Sequence, residues 1–416
     1  MSNTWLIGRE ELSNEQVRAV ELDTDQHKVI FGSAGSGKTI VLLHRAKYLC
    51  DSYNIPKDKF KIFVFNNVLK SYIKSALNLL GLPEDSVMTF DNWCTDFYKR
   101  FINSRLPRPD RGIDYAKIRK DCLEYIKKNN SQLSLFKNIF LYEFILVDEG
   151  QDLDNTSFQL MKIISKHVTV CMDNKQRIYE NGSNEKDITN TLGVRKRNIS
   201  FLETFRVSPF IADLAAELIE NKEEKSQFIR QCKIEQSEKQ TPLLYYASDY
   251  EDEKRKLLDV IRTRQIKGDR IAILFHYNKH VYGYAKGLKE EGFDIEVPKE
   301  SHSNDYIPVD FNSDRPKILT YHSAKGLTFD TVIMPQLIKR NFFNRGEDEI
   351  KRLLFVGITR ATKWVYLSSY VNYHLSILKS FSSLAVQGCL TIQQANGSIS
   401  QDEYIKTDDP DILDIL

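Results

Sequence analysis

Short runs of β-branched and aromatic residues recur along the chain, and the segments between them have the apolar spacing of amphipathic helices. The runs lie at residues 28–31, 61–65, 144–147, 168–172, 199–202, 270–275, 317–320, 331–334 and 364–368. Strands that alternate with helices predict parallel sheets covered by helices on both faces. The pattern therefore predicts an α/β fold.

Two changes of pattern suggest how the chain is divided. Residues 93–138 are charged and helical in pattern, with Pro107 and Pro109 as interruptions, which predicts a small helical insertion. The second change begins near residue 200. With 416 residues and 41% hydrophobic content, we expect an N-terminal domain at 1–198 with the insertion at about 93–138, a C-terminal domain at 199–385 and an acidic tail at 386–416.

A phosphate-binding loop is the strongest chemical signal in the chain. Its residues match the pattern G-x-x-x-x-G-K-[ST] between a predicted strand and a predicted helix: Gly32, Ser33, Ala34, Gly35, Ser36, Gly37, Lys38 and Thr39. Glycines let backbone N–H groups turn towards phosphate oxygens, and the helix N-terminus adds positive potential. Lys38 is expected to reach the β- and γ-phosphates of ATP, and Thr39 to ligate Mg²⁺.

Two adjacent carboxylates, Asp148 and Glu149, follow the apolar run at 144–147. Open α/β sheets bind ligands at the carboxyl ends of their strands. Asp148 is the expected Mg²⁺ ligand, and Glu149 is expected to orient or deprotonate the attacking water.

Several motifs follow one another in a recognisable order. They are Gln16, the phosphate loop, residues 89–91 (TFD), residues 148–152 (DEGQD), residues 172–179 (MDNKQRIY), Arg206, residues 321–327 (YHSAKGL) and residues 356–361 (VGITRA). Together they resemble the UvrD/Rep/PcrA branch of superfamily 1 DNA helicases, over roughly residues 8–370. The resemblance implies two tandem RecA-like (P-loop NTPase) domains, with ATP between them and single-stranded DNA across their top.

The same resemblance implies roles for individual residues. Gln16 would read adenine, Gln176 would sense the γ-phosphate, and Arg206 and Arg360 would reach the phosphates from the second domain, where guanidinium groups stabilise transferring charge. The residues implied on the nucleic-acid side are Phe65, Asn66, Thr89, Phe90, Tyr179, His322 and Lys325. Aromatic rings can stack with bases while polar and basic groups hold phosphates.

The chain also departs from the family pattern. Glu180 and Asn181 follow Tyr179 where an aromatic segment is expected, and Thr328 replaces a carboxylate near the ribose. Phe205 precedes Arg206 in an altered arginine motif, and only about twenty residues lie between Val297 and Tyr321, where relatives carry a regulatory subdomain. We therefore expect a compact motor with few accessory parts.

Net charge and targeting signals bear on how the protein would contact nucleic acid and where in the cell it is expected. A formal net charge of +2 means that nucleic-acid contacts must come from local patches. The N-terminus lacks the pattern of a signal peptide, and no apolar run is long enough to span a membrane, so a cytoplasmic protein without a membrane partner is expected.

Two functions from different classes fit this sequence. The first is an ATP-dependent 3′-to-5′ DNA helicase or translocase acting on single-stranded or tailed DNA. The second is an ATP-operated DNA-sensing switch that controls a protein partner, such as a nuclease or a repair or defence subunit, as in bacterial antiphage systems like Gabija. RNA also stays open as a substrate, because DNA and RNA differ mainly at 2′-hydroxyl contacts, although the resemblance favours DNA.

Overall fold

The computed structural model describes residues 5–32, 35–109, 112–133, 142–173, 183, 185–195, 199–202, 205–234, 240–300 and 306–395. The chain divides into two units. Unit 1 comprises Met1–Phe205, Pro298–Ser313 and Ser323–Leu327. Unit 2 comprises Arg206–Val297, Asp314–His322 and Thr328–Leu416.

Unit 1 contains a six-stranded sheet with the strand order β3-β2-β4-β5-β1-β6, in which every pairing is parallel. Its strands are β1 (Lys28–Gly32), β2 (Phe60–Val64), β3 (Val87–Thr89), β4 (Tyr142–Val147), β5 (Ser165–Met172) and β6 (Ile199–Leu202). Val29 and Phe31 of β1 enter one core cluster, while Ile30 between them is also fully buried. Because successive side chains of a strand point to opposite faces, this sheet is covered on both.

The helices of unit 1 connect these strands. They are α1 (Asn14–Val20), α2 (Lys38–Ser52), α3 (Asn67–Leu77), α4 (Phe90–Phe101), α5 (Tyr115–Leu133), α6 (Asn155–Ile164) and α7 (Glu185–Leu192). Asn66, Thr89 and Asp154 cap α3, α4 and α6 by accepting a hydrogen bond from a backbone N–H of the first turn. These caps fix where three helices begin, immediately after strand ends or loops that carry predicted site residues.

Unit 2 contains a second six-stranded parallel sheet, with the order β13-β10-β14-β15-β9-β16. The remaining strands of the chain are β7 (Phe205–Val207), β8 (Cys232–Ile234), β9 (Leu243–Ala247), β10 (Ile271–Phe275), β11 (Lys299–Glu300), β12 (Tyr306–Ile307), β13 (Lys317–Thr320), β14 (Phe329–Met334), β15 (Ala361–Tyr370) and β16 (Thr391–Gln394). The helices are α8 (Pro209–Ala216), α9 (Lys222–Gln231), α10 (Tyr250–Ile266), α11 (Asn278–Glu290), α12 (Glu347–Ile358) and α13 (Ser382–Val386). Two parallel α/β sheets confirm the predicted fold class of tandem RecA-like domains.

Some segments lie where the sequence pattern did not put them. Strand β6 at Ile199–Leu202 pairs with β1 and completes the first sheet, although residue 199 was expected to open the second domain. Strand β16 at Thr391–Gln394 pairs with β9, inside the range expected to form an acidic tail. Pro298–Ser313 and Ser323–Leu327 belong to unit 1 although they follow strands of unit 2 along the chain. The predicted domain limits themselves stay predictions.

Candidate nucleotide site

The predicted site residues of unit 1 follow the ends of parallel strands. The phosphate loop follows β1, Asn66 follows β2, Thr89 closes β3 and Asp148 follows β4, and Asp173 of the motif at residues 172–179 follows β5. Because the five strands are parallel, their carboxyl ends meet at one edge of the sheet. The topology thus brings residues far apart in sequence to one edge.

The described part of the phosphate loop has the backbone that its glycines permit. Gly35 and Gly37 have φ angles of 74° and 81°, in the left-handed region that favours glycine. A Cβ on Gly32 would lie 2.2 Å from the Ser36 hydroxyl oxygen, so no side chain fits there without a shift. Lys38 is 6% exposed, and its Nζ donates a 2.9 Å hydrogen bond to the Gly32 carbonyl. The lysine is therefore folded back over its own loop.

Gln16 lies against this loop. It is the third residue of α1 and forms a capping box with Ser13, in which Gln16 Oε1 accepts a 2.9 Å bond from Ser13 N. Gln16 Nε2 donates a 3.0 Å bond to the Ser36 carbonyl. The side-chain amide predicted to read adenine thus also ties α1 to the phosphate loop.

Thr39 and Asp148 come together as a pair of oxygen ligands. Thr39 Oγ1 donates a 2.7 Å hydrogen bond to Asp148 Oδ2, although 109 residues separate them. Asp148 is fully buried. Burial and the neighbouring Glu149 carboxylate raise the pKa of Asp148 to about 6, despite the Thr39 hydroxyl and Lys38. A divalent cation would favour the ionised form of this carboxylate.

Glu149 is held in a strained conformation beside this pair. Its φ angle is 53°, which is uncommon for a residue with a side chain. Its backbone N–H donates to Asp148 Oδ1 at 3.0 Å, and its Oε2 accepts a bond from Gln151 Nε2. Gln151 Oε1 accepts from the backbone N–H of Asp173 at 3.0 Å. Gln151 therefore joins the turn after β4 to the end of β5.

Lys325 and its partner Asp152 complete a cluster of polar side chains at this edge of the sheet. The other members of the cluster are Lys38, Thr39, Asp148, Glu149, Gln151 and Asp173. Lys325 Nζ lies 2.7 Å from both carboxylate oxygens of Asp152 and 3.7 Å from Glu149 Oε2, and the side chain is 3% exposed. Burial, with the nearby Glu149 and Asp148 carboxylates, raises the pKa of Asp152 to about 7, although Lys325 opposes this shift. Lys325, predicted on the nucleic-acid side, is thus bound to the turn that carries Glu149.

The donor set fits ATP with Mg²⁺. Mg²⁺ favours one or two protein carboxylates together with phosphate oxygens and water, and Thr39 with Asp148 offers such a pair. The described residues contain no cluster of three or more histidine, cysteine or acidic side chains suited to hold a metal without such phosphates. The buried hydroxyl of Ser36 has no hydrogen-bond partner among the described residues, and it lies in the glycine-lined loop where phosphate oxygens are expected.

The predicted nucleic-acid residues of unit 1 differ in exposure. Phe65 and Asn66 are half-buried, and the Asn66 side chain accepts a 2.7 Å bond from Leu69 N as the cap of α3. Thr89 caps α4 by accepting a 3.2 Å bond from Asn92 N. Phe90 is 1% exposed and contacts Phe63, with ring centroids 5.0 Å apart. In this structure Phe90 is a core residue, and its assignment to nucleic acid stays a prediction.

The remaining predicted residues lie in unit 2 or outside the described residues. Arg360 is 3% exposed, and its Nε donates a 3.1 Å bond to the Val356 carbonyl at the end of α12. His322 is half-buried after β13. The backbone of Arg206 lies in β7, but its side chain is not described. Four predicted site residues lie outside the described residues: Ser33, Ala34, Gln176 and Tyr179.

Three residues of the cluster received no role from the sequence. Gln151 and Asp152 belong to the DEGQD motif and Asp173 to the MDNKQRIY motif, but the motifs assign no individual role to any of the three. The signal that could have found them is their burial at a polar strand end, since a buried polar side chain needs a partner. Gln151 is 1% exposed, Asp152 7% and Asp173 4%.

The fold and the loop together define a P-loop protein with tandem RecA-like domains. Comparison with known families agrees: the UvrD/REP helicase N-terminal domain matches residues 12–140 and 105–197, and the UvrD-like helicase C-terminal domain matches residues 299–372. The chain belongs to the UvrD-like helicase family. Among the described residues, no helix has the length and apolar character needed to cross a membrane.

Individual relatives are distant. A Mycoplasma pneumoniae protein named "Probable DNA helicase" is 24% identical, over 62% of this chain and 49% of the relative. A protein of Acanthamoeba polyphaga mimivirus, whose name contains the words "ATP-dependent DNA helicase", is 23% identical over 87% of this chain and 54% of the relative. The chain thus spans about half the length of these relatives.

Proposed function

We propose that this protein hydrolyses Mg²⁺-bound ATP and couples hydrolysis to 3′-to-5′ movement along single-stranded DNA, which unwinds tailed duplexes. The observation that carries the proposal is the convergence of Lys38, Thr39, Asp148 and Glu149 at one sheet edge, with Thr39 and Asp148 one hydrogen bond apart. Family membership supports the same activity.

The residues of the cluster divide the chemistry among themselves. ATP supplies the free energy of hydrolysis, and Mg²⁺ held by Thr39 and Asp148 would neutralise phosphate charge. Glu149 accepts the proton of the attacking water at a carboxylate oxygen, and Gln151 holds that carboxylate in place. Lys38 leaves the Gly32 carbonyl and binds phosphate oxygens with its ammonium group.

Lys325 supports a role for nucleic acid in controlling turnover. Its ammonium group is held by Asp152 and lies near Glu149. We propose that a nucleic-acid phosphate competes with Asp152 for this ammonium group. The exchange would change the charge beside Glu149 and so make hydrolysis depend on bound DNA.

Arg206 and Arg360 are proposed to stabilise the charge that develops on the transferring phosphoryl group. A guanidinium group presents fixed donors to phosphate oxygens, which suits this task better than an ammonium group does. Gln176 is proposed to link the γ-phosphate to the nucleic-acid groove, as the family resemblance implies.

The decisive experiment measures ATP hydrolysis by the purified chain with single-stranded DNA, duplex DNA and RNA in parallel. We expect stimulation by single-stranded DNA, and loss of roughly 100-fold or more of that turnover in Lys38→Ala, Glu149→Gln and Arg360→Ala. Lys47→Ala, an exposed change on the same helix as Lys38, is the matched control. Hydrolysis that is indifferent to the three site changes would contradict the proposal.

Polarity and substrate need their own assay. Duplexes with a 3′ or a 5′ single-stranded tail, made of DNA or RNA, separate the four cases by strand displacement. Displacement that depends on a 3′ DNA tail is the expected result, whereas equal displacement from both tails would remove the assigned direction.

A DNA-sensing switch is the second candidate, and the short connection between β10 and β13 favours it. Within that connection Pro298–Ser313 belongs to unit 1, and its described residues, 298–300 and 306–313, form no regular element besides the two-residue strands β11 and β12. This leaves little chain for separating a duplex. DNA-stimulated hydrolysis without displacement, together with a co-purifying nuclease or repair subunit, would favour the switch; robust unwinding by the chain alone would contradict it.

A further inference from the structure

Arg119 of α5 bridges two carboxylates at the starts of two other helices of unit 1, α4 and α6. Its NH1 group donates to Asp91 Oδ1, and its Nε donates a 2.9 Å bond to Asp154 Oδ2. The side chains are 16%, 35% and 26% exposed for Arg119, Asp91 and Asp154, so the network is partly buried. Solvent screens such a network less than it screens a surface pair.

Each carboxylate is attached to a different part of the candidate site. Asp91 lies in the first turn of α4, directly after Thr89 and Phe90, which were predicted on the nucleic-acid side. Asp154 caps α6, accepting bonds from Ser157 N at 2.9 Å and Ser157 Oγ at 2.7 Å. It lies two residues after Asp152, in the turn that also carries Glu149. Arg119 therefore joins the start of α4 to the start of α6 through a helix that contains none of the recognised motifs.

Arg119 stays charged at neutral pH, and burial raises the pKa of the Asp91 carboxyl although the Arg119 guanidinium group opposes this shift. Burial opposes the charge on Arg119, but Asp91 and Asp154 outweigh burial and raise its pKa above the ordinary value. A guanidinium group is planar, and its donors point in fixed directions. A shift of one carboxylate must therefore turn the fork or break one of its bonds, so each carboxylate responds to the position of the other.

We propose that Arg119 is a positioning residue that transmits the state of the turn at residues 89–91 to the turn at residues 148–154. Resting on the proposed function, this inference deepens it by naming a route by which bound nucleic acid alters hydrolysis within unit 1. The route is separate from Lys325, whose partner is Asp152. Neither Arg119 nor Asp154 is expected to touch ATP, DNA or the reacting atoms.

The test compares the basal and the DNA-stimulated ATPase of the full chain carrying Arg119→Met, Arg119→Lys or Asp154→Asn. Asparagine keeps the cap of α6, since Asn and Asp cap helices about equally well, but it removes the charge. We expect basal hydrolysis to stay within about twofold and maximal stimulation to fall by about 2- to 30-fold, the range of measured coupling effects. The DNA concentration that gives half-maximal stimulation should change little, because no DNA contact is removed.

Double variants test whether the two carboxylates act through one group. If both act through Arg119, Asp91→Asn combined with Asp154→Asn should reduce stimulation no further than the stronger single change. Lys117→Gln is the matched control, because it breaks an exposed pair with Asp121 on the same helix and should leave stimulation unchanged. A network that only holds α5 in place would instead lower stability and leave the stimulation ratio intact.

The outcomes separate the two levels of inference. Wild-type hydrolysis that no nucleic acid stimulates overturns the proposed function together with this coupling. Normal stimulation in folded Arg119→Met and Asp154→Asn overturns the coupling alone. If Arg119→Met unfolds, as melting would reveal, Arg119→Lys and Asp154→Asn decide the question.

Discussion

At the residue scale, Gly357 determines how closely α12 packs against its sheet in unit 2. A Cβ at this position would lie 2.9 Å from Met334 Cε and 3.0 Å from Tyr321 Cε1. Tyr321 is 1% exposed, and Met334 is fully buried. Glycine is therefore needed here for close approach rather than for backbone conformation, and Arg360 follows it by three residues.

Gly357→Ala should lower the stability of unit 2. Alanine favours a helix over glycine by about 1 kcal/mol, but overpacking a core costs about 1–3 kcal/mol, so the packing effect should win. The matched control is Gly283→Ala in α11, where a Cβ meets nothing within 4 Å. That change should raise stability by up to about 1 kcal/mol.

Chemical denaturation can measure both glycine variants. Trp364 is the tryptophan of unit 2, whereas Trp5 and Trp93 belong to unit 1. Replacing Trp5 and Trp93 by Phe leaves a fluorescence signal from unit 2 alone. Equal gains in stability from Gly357→Ala and Gly283→Ala would show that the Tyr321 and Met334 side chains move to make room for the added methyl group.

At the element scale, Arg45 joins three parts of unit 1. It lies in the middle of α2 and is fully buried. Its NH1 group donates to the carbonyls of Val20 at 2.9 Å and Leu22 at 2.7 Å, and its Nε donates to Thr169 Oγ1 at 2.9 Å. Burial lowers the pKa of Arg45 to about 10, so the side chain stays charged at neutral pH. It thereby holds the end of α1 against the phosphate-loop helix.

Arg45→Met should destabilise unit 1 by about 2–4 kcal/mol, because the buried carbonyl of Val20 and the partly buried carbonyl of Leu22 lose their donor. It should also weaken ATP binding, since α1 carries Gln16 and its bond to the Ser36 carbonyl. Arg45→Lys keeps the positive charge but loses the planar guanidinium donors. Its stability and its ATP affinity should therefore lie between those of the wild type and Arg45→Met.

Lys47→Met is the control for this prediction, because Lys47 is 43% exposed and pairs with Asp51 on the same helix. Its effect should stay within about 0.5 kcal/mol. Fluorescence unfolding in a Trp364→Phe background reports unit 1, and ATP titration reports the site. Equal effects of Arg45→Met and Lys47→Met on stability and ATP binding would refute the role given to Arg45.

The elements also show which contacts a sequence can predict. The phosphate loop and the DEGQD turn are recognisable because each motif is local and its chemistry restricts its residues. Arg119 gave no such signal, since its partners lie 28 and 35 residues away and an arginine in a charged helix resembles any solvated one. The pairing of strand β6 with β1 was not predictable for a related reason: an apolar run predicts a strand but not its neighbour.

At the scale of the whole molecule, each unit buries a histidine that resists protonation. In unit 1, His167 is 2% exposed, and burial with the nearby charges of Arg45 and Lys28 lowers its pKa to about 2. In unit 2, burial and Arg345 lower the pKa of His276 to about 4. The unfolded chain protonates both near pH 6.5. As the pH falls below 6.5, the unfolded state binds more protons at these two positions than the folded state does, so the two histidines lower the free energy of unfolding.

Two carboxylates of unit 1 act in the opposite direction. The pKa values of Asp148 and Asp152 are raised to about 6 and 7, so these groups bind protons in the folded state before they do so in the unfolded state. Their contribution favours folding at low pH and is lost as the pH rises through 6 to 7. The pH dependence of the wild type is therefore a sum of opposing parts, and only a difference between variants isolates one histidine.

His167→Gln should flatten the decline that His167 imposes on unit 1. Glutamine can still accept the bond from Arg45 but does not titrate, so the free energy of unfolding of wild type relative to the variant should fall by about 1.4 kcal/mol per pH unit between pH 6 and 4.5. Denaturation of Trp364→Phe proteins over this range reports unit 1, and His374→Gln in unit 2 removes an equal number of imidazoles as the control. Parallel pH curves for wild type and His167→Gln would mean that His167 is protonated in the folded protein, with water or a local opening of β5 admitting the charge.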